Sequence, residues 1–234
     1  IFDVDGTLTP SRQKMTKDFE KFFSKWAEKN TFYLVSGSDL DKIKEQIPWY
    51  ILERADGIFT CGGNKFYING NLIYENNFKP PKDLIEYLTN QLEIAPFLAR
   101  CGNHIENRGA MLNFSVVGRD CTLEERLKYF EWDNQVEERK KITKEINNGW
   151  SELDAVLGGQ TSIDIYPKGK DKSQILKHIE EIEKADEYIF IGDRIDEGGN
   201  DYPLAQLMNN KDNCSSHHTT GWKQTKEILE NLID

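Results

Sequence analysis

The chain lacks long apolar runs, clustered cysteines and any excess of basic residues, and each shortage narrows what it does. No stretch approaches the roughly 18 apolar residues of a membrane helix, and no signal-like apolar segment opens the chain. A soluble, cytoplasmic protein with no membrane partner is therefore expected. Four cysteines (Cys61, Cys101, Cys121 and Cys214) are scattered without a CxxC pair. That argues against a disulfide framework or zinc module and fits a reducing compartment. With 30 basic against 40 acidic side chains the net charge is −10. Nucleic acid is then a disfavoured partner, because gripping its backbone relies on cation-rich surfaces. An anionic small molecule stays open wherever arginines cluster locally. No repeat, low-complexity tract or Ser/Gly/Pro-rich linker divides the sequence.

What is present points to a folded enzyme. Hydrophobic residues at 38% and aromatics at 11% supply a core, and 234 residues suit one large domain or two small ones. Ile1–Val4 reads as an apolar strand that starts without an initiator methionine, so the chain is expected to continue upstream. A helix over 16–29 would bury Phe19, Phe22, Phe23 and Trp26 at helical spacing. Strands at 31–35 and 57–60 flank a helix at 40–47 capped near Asp39. Strands alternating with helices predict a parallel α/β sheet.

The middle of the chain breaks that rhythm. Lys65–Ile68, Asn69-Gly70 and Leu72–Tyr74 predict a tight hairpin. A helix over 82–92 follows, then strands at 104–108 and 110–117. Thr122 and Glu125 form a capping box for the next helix. A polar helix over 136–146 and an alternating strand at 161–166 complete an α+β insert of about a hundred residues. The α/β pattern returns with a helix over 171–184, an apolar strand at 188–191 ending in Gly192-Asp193, and a last helix over 222–232.

The sharpest local pattern is Asp3-Val4-Asp5-Gly6-Thr7-Leu8-Thr9 directly after a strand. Residues i and i+2 share a face of extended chain, so Asp3 and Asp5 look into the crevice beyond the strand end. Two close carboxylates call for a cation, and oxygen ligands beside a phosphate favour Mg2+. Asp193, after a later strand, is the third anion. Asp3 is placed to attack phosphorus and Asp5 to move a proton to and from a sugar oxygen. Lys172, opening a helix after the Gly169 turn, offsets the charge on the transferring group.

These residues resemble the haloacid-dehalogenase (HAD) phosphotransferase superfamily, and in particular its eukaryotic-type phosphomannomutases. The resemblance rests on Phe2 to Thr9 with Arg12-Gln13-Lys14, and on Gly37-Ser38-Asp39. It continues through Met111-Leu112-Asn113, Gly118-Arg119 with Cys121, and Glu124-Glu125-Arg126. Gly158-Gly159-Gln160, Ser162-Ile163-Asp164, Asp171-Lys172 and Gly198-Gly199-Asn200-Asp201 complete it, in the family's order. It implies a HAD-like Rossmannoid α/β core with a parallel sheet (1–72 and 171–234) carrying an inserted α+β cap domain of the C2b type (73–170). It also implies interconversion of mannose 6-phosphate and mannose 1-phosphate for GDP-mannose biosynthesis, with a hexose bisphosphate activator and Mg2+. By the family pattern Asp3 is the nucleophile, Asp5 the acid/base, and Asp193 a metal ligand beside the Asp3 carboxylate and the Asp5 main-chain oxygen. The sugar-phosphate contacts fall on Arg12, Arg108, Arg119, Arg126, Ser162 and Asp164, and dimerisation on the cap. Arginines on the cap suit the phosphate that does not react, since guanidinium grips phosphate bidentately.

Ser36 ends the second strand, where the superfamily keeps a phosphate-binding hydroxyl; Ser38 is the other candidate, and Ser36 is preferred. Cys61-Gly62-Gly63-Asn64 departs from the family's Glu-Asn-Gly, and Arg194-Ile195-Asp196-Glu197 from its usual residues. The tail 211–220, with His217 and His218 read as exposed loop, does not match the loop that holds a second cation in the family. Two other functions are weighed: a sugar-phosphate phosphatase that uses the same Asp3 and Asp5, with water intercepting the phospho-aspartate, and a catalytically idle sugar-phosphate-binding or oligomerisation module, against which the intact Asp3, Asp5, Lys172 and Asp193 argue.

Overall fold

A computed structural model describes residues 1–232. The chain divides into two compact units: Ile1–Glu75 with the chain from Asp171 onward, and Asn76–Lys170.

The first unit is built on a seven-stranded sheet. In chain order its strands are β1 (Phe2–Asp3), β2 (Tyr33–Val35), β3 (Gly57–Thr60), β4 (Lys65–Ile68), β5 (Asn71–Glu75), β10 (Tyr188–Gly192) and β11 (Cys214–His218). In space they run β11-β10-β1-β2-β3-β4-β5. The five from β11 to β3 are parallel, whereas β4 and β5 add antiparallel. The sheet is thus mixed rather than wholly parallel: the Asn69-Gly70 hairpin, expected from sequence, extends the edge of this sheet. Because β5 pairs through Glu75, the first unit reaches three residues beyond the expected boundary at 72.

The two-residue period of the strands sorts side chains to opposite faces. Phe2, Leu34 and Ile58 join α1 (Lys17–Ala27), α2 (Leu40–Gln46), α3 (Trp49–Leu52) and α9 (Trp222–Asn231) in one core. Tyr33, Val35, Phe59 and Phe190 join α7 (Gln174–Ile182) and α8 (Tyr202–Asn209) in the other. In the first core the rings of Phe2, Trp26 and Phe32 all lie within 5.4 Å of Phe23. The helix expected over 171–184 begins later, at Gln174, so Lys172 sits in the turn ahead of it. The tail holding His217 and His218 forms the edge strand β11 instead of a loop.

The second unit carries an antiparallel sheet ordered β6-β7-β9-β8, made of β6 (Ile105–Asn107), β7 (Leu112–Phe114), β8 (Leu153–Gly158) and β9 (Ser162–Pro167). Leu112, Phe114, Ile163 and Ile165 pack against α4 (Lys82–Ile94), α5 (Leu123–Val136) and α6 (Glu138–Gly149). The alternate residues Glu106, Asn113 and Asp164 stand opposite one another as a polar row across three strands. The capping box of Thr122 and Glu125 forms as expected.

Phe23 is fully buried among aromatic neighbours, so Phe23→Ala leaves a cavity. It is expected to cost about 3–5 kcal/mol, read as a lower urea midpoint for the unit containing β1.

Candidate active site

The residues after β1 form a tight loop because three successive amides, of Thr7, Leu8 and Thr9, converge on the Val4 carbonyl. Gly6 sits in it at φ +86°, and a Cβ there would lie 2.4 Å from Asp193 Oδ2. Only glycine supplies both the left-handed backbone and the space beside Asp193. From the far end of the chain, Thr225 Oγ1 donates to the Thr7 carbonyl at 2.8 Å and ties α9 to this loop.

Asp3, at the end of β1, is 4% exposed. Its Oδ1 accepts from Lys172 Nζ at 2.6 Å, and the same ammonium donates to Asp201 Oδ1 at 2.6 Å. Thr7 Oγ1 reaches Asp3 Oδ2 at 3.3 Å. Asp201, at the entry to α8, also accepts from the Arg194 amide at 3.1 Å. Asp193 follows β10, and carboxylate oxygens of Asp3, Asp193 and Asp201 lie within 4.8 Å of one another.

The electrostatics follow from this packing. Burial pushes the Asp3 carboxyl well above the usual range; Lys172 opposes the shift, and Asp201 and Asp193 add to it. Burial, with repulsion from Asp201, pushes Asp193 up to about 7. Burial alone would lower the Lys172 pKa, but the carboxylates of Asp201 and Asp3 outweigh it and raise it. When the three aspartates are ionised, Lys172 leaves two net negative charges in a buried space. Hard oxygen donors with that charge deficit fit a divalent cation such as Mg2+.

Asp5 is held separately. Its Oδ1 accepts from the Arg12 amide at 2.6 Å and from Gln46 Nε2 at 2.9 Å, and its Oδ2 lies 3.5 Å from Ser38 Oγ. The carboxylate group therefore comprises Asp3, Asp193 and Asp201, whereas the sequence had paired Asp3 and Asp5 with Asp193. Arg12 reaches Asp5 through its backbone, at φ 55°. Ser36 is buried, with its Oγ accepting from the Ser38 amide at 3.0 Å, so Ser38 rather than Ser36 touches a catalytic candidate.

The remaining expected residues lie in the second unit. Arg108 and Arg119 converge on one carboxylate: Glu106 Oε2 lies 2.8 Å from Arg108 Nε and 3.4 Å from Arg119 Nε. Arg119 also donates to Asn113 Oδ1 at 3.2 Å, and Asn113 Nδ2 donates to Asp164 Oδ1 at 2.6 Å. Arg108, Arg119 and Asp164 thus belong to one continuous network. Arg126 is buried and reaches Gln160 at 3.5 Å, while Ser162 Oγ caps the Gly158 carbonyl at 2.9 Å. Gly158 leaves the space that Asp164 occupies, since a Cβ there would meet its carboxylate at 2.7 Å.

Sequence reasoning missed Asp201, Gln46 and Glu106 as site residues. Asp201 ends Gly198-Gly199-Asn200-Asp201, one of the motifs that carry the family resemblance. Glu106 was readable as an acid two positions from Arg108 on a strand, hence on the same side.

A buried carboxylate paired with a buried lysine, at the carboxyl edge of the parallel strands of an α/β sheet, marks a fold of the haloacid-dehalogenase type. The C-terminal domain of trehalose-6-phosphate phosphatase from Candida albicans shares this fold, with a TM-score of 0.63 at 16% identity over 99% of this chain and 90% of that one. IMP-nucleotidase from Plasmodium falciparum does so at 0.61 and 15% identity, over 100% of this chain and 67% of that one. In sequence the chain matches the eukaryotic phosphomannomutase family over residues 19–234. It is 38% identical to phosphomannomutase of Encephalitozoon cuniculi over 91% of this chain and 84% of that protein. With the Drosophila melanogaster phosphomannomutase the identity is 34% over 100% of this chain and 94% of that protein. The chain belongs to the eukaryotic phosphomannomutase family.

The raised Asp193 pKa has a signed consequence. Its carboxyl is protonated more readily in the folded than in the unfolded state, so its contribution to stability falls as pH rises from about 4 to about 7. A cation that needs the ionised group gains from the same change. Thermal melts are expected to show a larger Mg2+-induced rise in Tm at pH 8 than at pH 6.

Proposed function

We propose that this chain interconverts mannose 6-phosphate and mannose 1-phosphate through a phospho-aspartate on Asp3, with a hexose bisphosphate as activator. The observation that carries the reading is the buried Asp3–Lys172–Asp201 arrangement with a second carboxylate, Asp5, held apart two residues on. Family membership and relatives named phosphomannomutase support it.

In this reading Asp3 first takes a phosphoryl group from the hexose bisphosphate as Asp5 gives its proton to the departing sugar oxygen, and a hexose monophosphate leaves. The phosphoryl group then passes to mannose 1-phosphate: Asp5 accepts the proton of the sugar hydroxyl as its oxygen bonds to phosphorus and the Asp3–phosphorus bond breaks. The resulting bisphosphate turns end for end. Asp3 takes the other phosphoryl group, Asp5 returns the proton to the departing sugar oxygen, and mannose 6-phosphate leaves. Lys172 offsets charge on the transferring group, and Ser36 is assigned to its oxygens. Asp3, Asp193 and the Asp5 main-chain oxygen are the proposed Mg2+ ligands; the bound ion supplies charge neutralisation at the phosphoryl oxygens.

The second unit serves as the cap. Arg108, Arg119 and Arg126, with Arg12, grip the phosphate that is not reacting, and Ser162 and Asp164 take sugar hydroxyls. The Glu106 bridge supports this assignment by holding two of those guanidinium groups together. Homodimerisation through the cap, a cytoplasmic location and a place in GDP-mannose biosynthesis belong to the same proposal. Among the described residues, no helix is long and apolar enough to cross a membrane.

The test is a coupled assay with Mg2+ and mannose 1-phosphate, with and without glucose 1,6-bisphosphate, while free phosphate is followed in the same samples. Bisphosphate-dependent mannose 6-phosphate without free phosphate is expected. Stoichiometric phosphate with little isomer would instead establish a phosphatase. Asp3→Asn is expected to lower turnover by at least about a thousandfold, since the nucleophile itself is lost.

A further inference from the structure

Gln46 closes α2 and is 2% exposed, an unusual place for a long amide. Its Nε2 donates to Asp5 Oδ1 at 2.9 Å and lies 3.2 Å from Thr9 Oγ1 and 3.5 Å from the Gln13 carbonyl. Its own carbonyl accepts from the Met15 amide at 2.8 Å. One residue thus spans the loop from Asp5 to Met15 with both its side chain and its backbone.

The two oxygens of Asp5 are treated differently. Oδ1 accepts two hydrogen bonds, from Gln46 Nε2 and from the Arg12 amide at 2.6 Å. Both partners are N–H donors with nothing to accept, so a proton on Oδ1 would point at another hydrogen. Among the described residues, Oδ2 has only the Ser38 hydroxyl, at 3.5 Å. Because Oδ1 accepts equally well as a carboxylate or as the carbonyl oxygen of a protonated acid, the same two donors fit both forms of the group. We infer that Gln46 is a positioning residue for proton transfer: it pins Oδ1 of Asp5, so that Oδ2 is the oxygen that exchanges the proton with the sugar.

A second observation separates this role from ordinary packing. Gln46 Oε1 is buried and has no hydrogen-bond donor among the described residues. An apolar side chain of the same length would avoid that loss, so stability alone does not account for an amide here. The Arg12 backbone, left-handed at φ 55°, is a further strained position directed at the same oxygen.

In the proposed cycle, Oδ2–H gives its proton to the sugar oxygen as that oxygen leaves phosphorus and Asp3 bonds to it. The ionised Oδ2 takes a proton from the next sugar hydroxyl as that hydroxyl oxygen bonds to phosphorus. The inference rests on the mutase reading, and the experiment keeps the two apart. Gln46→Met keeps length and bulk but removes the donor; Gln46→Glu keeps the shape but sets an acceptor against Asp5. Both are compared with the parent chain by circular dichroism and melting, then in two assays. The first is bisphosphate-dependent conversion of mannose 1-phosphate. The second is the burst of p-nitrophenol from p-nitrophenyl phosphate, whose good leaving group departs without an acid.

Both variants are expected to lose about tenfold or more in mutase kcat, with KM changed less than about twofold, as for a group acting in the transition state. The burst rate is expected to stay within about threefold of the parent value, because the attack by Asp3 needs no proton from Asp5. An equal loss in both assays, no loss in either, or failure of both variants to fold would overturn the inference. A parent chain that shows a burst but no bisphosphate-dependent isomer would overturn the mutase reading instead.

Discussion

The Lys172 ammonium, almost wholly buried between the carboxylates of Asp3 and Asp201, is the contact on which the rest of the site depends. Taking three charges out of water is costly, and only near-ideal geometry repays it. At 2.6 Å to each partner the geometry meets that condition. Without the ammonium, Asp3, Asp193 and Asp201 would face one another uncompensated, and burial would drive them towards the neutral form. The ion pair therefore keeps the Asp3 carboxylate in a place where a carboxylate is hard to keep. It also knits three distant parts of the chain together: the end of β1, the turn ahead of α7 and the entry to α8.

The second unit repeats this device with the signs reversed. There a single carboxylate, Glu106, lies between the guanidinium groups of Arg108 and Arg119. In the first unit one cation is shared by two anions, leaving a negative excess suited to a divalent metal. In the second, one anion is shared by two cations, which holds together two guanidinium groups of the kind that grips phosphate. A chain of net charge −10 thus holds a local concentration of arginine without mutual repulsion dispersing it.

Much of this was legible in the sequence where one physical signal dominated. The run Asp3-Val4-Asp5-Gly6 after an apolar strand marked the sheet edge where the buried carboxylates gather, and the Asn69-Gly70 turn marked its hairpin. Thr122 with Glu125 marked the start of α5. Reading failed where the signal was weak or depended on distant partners. β11, Cys-Ser-Ser-His-His, has no apolar period and is a strand only because it lies along β10. α8 is short and has a proline, Pro203, as its second residue, so its few apolar residues resemble a loop. Asp201 and Gln46 carry no local mark of their role: Asp201 matters because Lys172 lies beside it, and Gln46 because the loop after Asp5 folds back over it.

The strand order sets when the parts can form. β1 stands between β2 and β10, and β10 follows the whole second unit in the sequence. The unit spanning 76–170, by contrast, is one unbroken segment. As the chain leaves the ribosome, that segment can complete its core while β1 still waits for its second neighbour. Asp3 and Asp5 are made before the segment 76–170, yet they acquire Lys172, Asp193 and Asp201 only after that whole unit has been synthesised. A nascent chain therefore carries the Asp3 carboxylate for the whole time the second unit takes to be made, and holds no Asp3–Lys172–Asp201 bridge until the segment after that unit follows.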